Sequence, residues 1–191
     1  MRTTFLVALS FLLLAPVEAQ AKAKPSAPAG SDASKRPSGF RDIVWGTSEA
    51  EVKKALNLDG DYDCMDLQGE RHCSTYFEIG DVHVTAFLKF YNDRFGQILM
   101  WFPSDHFDFV KEVFIDKYGK PTSSRVTEVR TRMNVPYVNF ISTWRWADVD
   151  IYFEKYGPDI EQGFASVTTR EYSAGVVKRE KEKKKGAKDS F

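Results

Sequence analysis

Twelve consecutive residues carry the densest chemistry in the sequence: Asp59-Gly60-Asp61-Tyr62-Asp63-Cys64-Met65-Asp66-Leu67-Gln68-Gly69-Glu70. Acids at loop positions one, three, five and twelve match the pattern of a calcium loop. There a hard cation takes about six to eight oxygens, two of them from one carboxylate. Asp59, Asp61, Asp63 and Glu70 are thus the candidate metal ligands, with Ca2+ or another small ligand as their cargo. Two features oppose this. Position six holds Cys64 where the sharp turn wants glycine, and strand-forming residues rather than a helix follow. The preferred reading is a solvated acidic hairpin loop stapled by a disulfide.

Cys64 and Cys73 are the only cysteines, so in an oxidising compartment they pair with none left over. Their spacing is not Cys-x-x-Cys, and His72 is the single imidazole beside them, which disfavours both a zinc site and a redox motif. The sequence has no Gly-x-Ser-x-Gly, His-Glu-x-x-His or phosphate-cradling glycine loop. Its three histidines fall apart along the chain, His72 by the disulfide, His83 on a strand and His106 at a helix start. Glu78 and His83 face each other across the Gly80-Asp81 turn as a structural pair. No catalytic residue is assigned, and an unrecognised hydrolase is the last of the alternatives.

Aromatic side chains are the better functional signal, at 14% of the residues. In the strand expected over 137–146, Val138, Phe140, Trp144 and Trp146 share one face, read as core. Tyr137, Asn139, Ile141, Thr143 and Arg145 share the other. Tyr152 joins that outer face from the next strand, and His83 shares its own outer face with Thr85, Phe87, Lys89 and Tyr91. Tyr137, Arg145, Tyr152, His83 and Phe87 are therefore the candidate partner-binding residues, of types enriched at interface hot spots.

The elements that would carry these residues follow from periodicity. A short strand over 40–45 ends at Gly46, and Ser48 with Glu51 forms a capping box ahead of Val52, Ala55 and Leu56 on one helix face. Strands are expected over 74–79, 82–91 and 95–102. In the second of these Val82, Val84, Ala86, Leu88 and Phe90 alternate onto one face. Phe107, Val110, Phe114 and Tyr118 make the stripe of a second helix, which Gly119 and Pro121 stop. Four more strands are expected near 123–132, 137–146, 149–155 and 163–171. The fold class is α+β: an antiparallel β-sheet with two main helices packed on one face, order β-α-βββ-α-ββββ.

The ends read differently from this body. Residues 1–19 have a positive start, a short apolar run and small residues before a cleavage point, the pattern of a signal peptide. The run is shorter than the about 20 residues that span a bilayer, so no transmembrane segment is expected in the mature chain. Residues 20–39 read as a flexible leader, 40–175 as the globular domain, and 176–191 as a basic disordered tail. A formal net charge of zero hides a body of −7 over 40–177 between a leader of +3 and a tail of +4. That balance argues against a nucleic-acid partner, while the tail suits an anionic surface.

Gly46-Thr47-Ser48-x-x-Glu51-Val52-x-x-x-Leu56, together with Lys117-Tyr118-Gly119-Lys120-Pro121-Thr122, resembles the helix boundaries of small exported α+β modules. These include the small lipoproteins of the outer-membrane assembly machinery and the β-lactamase-inhibitor-like fold. The chain lacks the anchoring cysteine of the lipoproteins. What the resemblance implies is a non-catalytic module that binds another protein, and it supplies no functional residues. The sequence thus points to a periplasmic or secreted protein without a required cofactor, acting on a protein partner in the envelope.

Overall fold

The computed structural model describes residues 31–56, 63–67 and 69–188. The signal peptide read over 1–19, most of the leader, and the acids Asp59 and Asp61 lie outside these residues. Strands β1 (Gly39–Phe40) and β2 (Ile43–Val44) open the body, followed by α1 (Glu49–Leu56), β3 (Asp63–Leu67), β4 (Glu70–Ile79), β5 (Val82–Tyr91) and β6 (Arg94–Pro103). Next come α2 (Phe107–Tyr118), β7 (Ser123–Arg130), β8 (Pro136–Arg145), β9 (Val149–Glu154), β10 (Gln162–Thr169) and α3 (Arg170–Lys188).

Strands β3 to β10 form one eight-stranded antiparallel sheet in the order β3-β4-β5-β6-β10-β9-β8-β7. Each half repeats one plan, a helix followed by a four-stranded meander, and the last strands of the two halves, β6 and β10, join at the centre. At that seam Gly163 lies opposite Phe102, and a β-carbon there would run into the Phe102 ring. Only glycine lets the two halves close. The turns use the residues their geometry demands: Asn92 and Asp93 have φ of 51° and 58°, and Gly80 has φ of 59°.

α1 and α2 pack on one sheet face. Val82, Val84, Ala86, Leu88 and Phe90 are all buried there, as the alternation predicts, beneath Val52 of α1 and Phe107, Val110, Phe114 and Tyr118 of α2. The capping box of α1 forms, with the Ser48 backbone N–H donating to Glu51 Oε2 at 3.3 Å and Glu51 N–H to Ser48 Oγ at 3.4 Å. Gly119, with φ of 78°, ends α2, and its N–H donates to the Ile115 carbonyl at 2.7 Å. The fold class is α+β, and the order of elements matches the sequence reading approximately.

Four segments depart from that reading. The acidic stretch expected as a loop ahead of a strand over 74–79 contains β3, paired with a β4 that already begins at Glu70. The strand expected over 40–45 is a two-stranded hairpin, because Arg41 takes a left-handed φ of 53° and turns the chain between β1 and β2. Residues 31–39, expected within a flexible leader, lie along the body. Trp146 Nε1 donates to the Asp32 carbonyl at 2.8 Å, Trp45 Nε1 to the Pro37 carbonyl at 3.0 Å, and Arg36 pairs with Asp148. The basic segment expected to be a disordered tail is helical through Lys188 as part of α3. Lysine and glutamate are good helix formers, and Tyr172, which is buried, Arg179 and Arg170 tie the helix to the sheet.

Cys64 and Cys73 sit directly opposite each other on β3 and β4 and are disulfide-bonded. Among the described residues β3 is an edge strand that pairs with β4 alone. Breaking the bond with Cys64→Ala and Cys73→Ala frees a ten-residue loop, with an expected loss of about 2.5–3 kcal/mol by chain-closure entropy. Urea unfolding of the double variant against wild type measures it.

Candidate functional site

The face of the sheet away from α1 and α2 carries a row of rings across four adjacent strands. Phe87 of β5 meets Trp101 of β6 edge-on at 5.3 Å, Trp101 meets Phe164 of β10 at 5.3 Å, and Phe164 meets Tyr152 of β9 at 6.2 Å. Register explains the contacts. Trp101 lies directly opposite Phe164, and the other two pairs are diagonal neighbours within reach of large rings. Tyr76, 65% exposed, continues the face on β4, and Tyr137 packs on Tyr156 at 5.7 Å at the far end. Each ring of the row is only partly buried, because its neighbours shield its edges while its outer surface faces solvent.

Polar groups hold the rings at the β8–β9 side. Tyr152 Oη donates to Glu154 Oε2 at 2.9 Å, and Asn139 Nδ2 donates to the same oxygen at 3.3 Å. Burial, then the bond to Glu154, pushes the Tyr152 phenol up to about 12, so it stays a neutral donor. Asn139 is 2% exposed, yet its side chain is satisfied. Its Nδ2 also donates to the Tyr156 carbonyl and its Oδ1 accepts the Tyr156 N–H. Beside Tyr152 a depression of about 190 Å³ is lined by Arg125, Arg145, Thr143, Ser123 and Ile141.

α3 crosses one end of this same face. The β-carbon of Tyr172 would lie 2.5 Å from one added to Gly96, so the helix seats on bare backbone there. Beneath it Tyr172 Oη donates to Glu70 Oε2, and Arg179 Nη2 donates to Glu70 Oε1. His72 Nε2 lies 3.4 Å from Glu70 Oε2. Burial lowers the His72 value, with the Lys89 charge adding to it, so the imidazole is neutral at pH 7 and this contact is a hydrogen bond rather than an ion pair.

The candidate residues from the sequence divide between these regions. Tyr152 is in the aromatic row, Phe87 starts it, and Arg145 borders the depression beside Tyr152. Tyr137 stands at the β8 end. His83 lies opposite Glu78 in register, with Nδ1 3.4 Å from Oε1, on the same face but at the solvent-facing rim, its side chain 88% exposed. Trp101 and Phe164, the centre of the row, were missed. β6 reads Ile98-Leu99-Met100-Trp101-Phe102, apolar on both faces, so period-two alternation gives no signal for which side chains face out. On β8 the Trp face is core at Trp144, as is Trp146 just past the strand, while Val138 and Phe140 remain 56% and 39% exposed.

The calcium reading loses its twelfth-position ligand. Glu70 is buried with both carboxylate oxygens engaged by Arg179 and Tyr172, and Asp63 begins strand β3, seven residues along the hairpin. Cys64 Sγ lies 3.4 Å from Glu49 Oε1, but both sulfurs are in the disulfide and offer neither a proton nor a thiolate. His106 lies 3.9 Å from Asp105, His72 beside Glu70 and His83 beside Glu78, so the three histidines stand in separate places. Among the described residues no helix is long and apolar enough to cross a membrane. The disulfide fits an oxidising, exported compartment.

Neither the curated proteins nor the solved structures include a match to this chain. A family model described as "Uncharacterised protein" matches residues 40–165, from the β1–β2 hairpin into β10, and the chain belongs to that family.

Proposed function

We propose that this chain is an exported, non-catalytic module of the bacterial envelope, periplasmic or secreted, that holds a protein partner on the open face of its sheet. The observation that supports this best is the row Phe87–Trp101–Phe164–Tyr152, four partly exposed rings in mutual contact on a rigid antiparallel scaffold. Interfaces concentrate their binding energy in such central aromatics, with arginines and polar groups at the rim. Arg125 and Arg145 supply that rim beside Tyr152. Rings held in register by a sheet lose little conformational freedom when a partner covers them, so most of their burial appears as affinity.

Crosslinking in the native envelope followed by affinity capture identifies the partner, and two variants test the surface. Trp101→Ala and Tyr152→Ala point away from the α1–α2 core, so the thermal midpoint moves little. Each weakens the partner by at least about 2 kcal/mol, or roughly 30-fold. Equal capture by wild type and both variants would remove the open face from consideration.

A further inference from the structure

On the opposite side of the molecule, two clefts meet between the β1–β2 hairpin and α2. One, of about 120 Å³, is apolar, walled by Phe40, Phe77, Ile79, Met100, Val113 and Phe114. The other, of about 200 Å³, is bordered by Lys35, Arg36, Arg41 and Lys117, with no carboxylate in its lining. Arg41, Lys117 and Tyr118 line both. Arg36 is neutralised by Asp148, and Lys35 donates to the Asp116 carbonyl at 2.7 Å. Arg41 and Lys117 instead rest on ring faces, Arg41 at 4.7 Å from the Phe77 centroid and Lys117 at 5.4 Å from that of Tyr118.

Two further observations converge there. Tyr118 is 5% exposed and lines both clefts. Burial alone pushes that phenol up to about 12, which keeps its proton available for donation. Arg41 holds a left-handed backbone, φ 53°, where glycine or asparagine would sit without cost. That conformation places a guanidinium at the junction of the two clefts, the kind of local strain that accompanies ligand clamps.

We infer that the paired clefts bind a single-chain amphiphile with an anionic head, its chain entering between Phe40, Phe77 and Phe114 and its head taken by Arg41, Lys117 and the Tyr118 hydroxyl. The first cleft is lined by apolar side chains, which suits a hydrocarbon chain rather than a polar group. Two cations without a competing acid in the second cleft select an anion over a neutral or cationic head. Glu78, at the rim of the apolar cleft, faces His83 across the β4–β5 turn.

Calorimetric titration of the full chain with decanoate, decyl phosphate, decyl maltoside and decyltrimethylammonium tests the inference. Saturable one-site binding of decanoate, decyl phosphate or both supports it, and the preference between them names the head group. Arg41→Gln weakens that binding about tenfold, the loss of one charge-assisted contact. Tyr118→Phe weakens it severalfold, and Val113→Phe, which fills the apolar cleft, abolishes it. Arg41 is exposed at a turn, so its variant folds even if Val113→Phe does not. Absence of saturable anion binding up to about 1 mM, equal binding of the maltoside or the ammonium compound, or unchanged affinity in Arg41→Gln overturns the assignment.

Discussion

Glu70→Ala lowers the folding stability by about 3–5 kcal/mol, because it strands a buried guanidinium. The side chains of Glu70 and Arg179 are only 10% and 14% exposed, and among the described residues Arg179 Nε and Nη1 find no acceptor. Glu70 is the acid that balances this cation, and it also accepts the Tyr172 hydroxyl proton. Glu70→Gln keeps an acceptor for Tyr172 and costs less, while Glu70→Ala with Arg179→Met removes both charges and recovers much of the loss. Urea midpoints at constant m-value measure the series. A change below about 1 kcal/mol for Glu70→Ala would show that α3 is held elsewhere.

The same cluster gives stability a defined pH dependence. Burial and then the Lys89 charge depress the His72 value, so the unfolded chain takes up that proton first, near its ordinary 6.5. For Glu70 burial acts upward, but hydrogen bonds from Tyr172, Arg179 and His72 prevail and hold the carboxyl below its ordinary 4.5. Both groups therefore stabilise the fold in the same direction: the contribution is complete above about 6.5 and is lost as pH falls. The thermal midpoint declines first through the imidazole range and again below 4.5, and His72→Asn flattens the first step only.

The elements that face the α1–α2 core are legible because their side chains obey a period. Val82 to Phe90 alternate, Phe107 to Tyr118 repeat every three or four residues, Ser48 and Glu51 cap the start of α1, and Gly119 ends α2. What hides from the sequence does so for physical reasons. α3 is held by the Tyr172 ring and by ion pairs such as Arg179–Glu70 and Arg170–Asp150, so it lacks the apolar stripe that marks a packed helix, and its composition matches that of a solvated tail. β1 and β2 depend on Arg41 adopting a backbone conformation that arginine rarely takes. The aromatic row spans strands contributed by both halves, and only the β6–β10 seam brings Trp101 beside Phe164. Tyr152 and Phe87 are separately visible, while their connection is a property of topology.

Phe153→Ala should match Glu70→Ala in size, about 3–5 kcal/mol, by opening a cavity where the two halves meet. Phe153 is fully buried, with ring centroids of Phe114 at 4.9 Å, Phe107 at 5.2 Å, Phe102 at 5.4 Å and Trp144 at 6.4 Å. These neighbours come from α2, β6 and β8, so no single element can move to fill the space without disturbing another. Phe153→Leu retains more of the volume and costs markedly less. Denaturant titration separates the two, and a cost under about 1 kcal/mol for the alanine variant would contradict the close-packed hub. The adjacent residue sharpens the comparison. Tyr152 points to the other face, so its truncation should leave the denaturation midpoint nearly unchanged and reduce capture of the partner. Phe153→Ala, assayed where it remains folded, should do the reverse. Under the proposed function, one strand divides two roles between alternate side chains, with Phe153 packed toward α2 and Tyr152 offered to a partner on the open face.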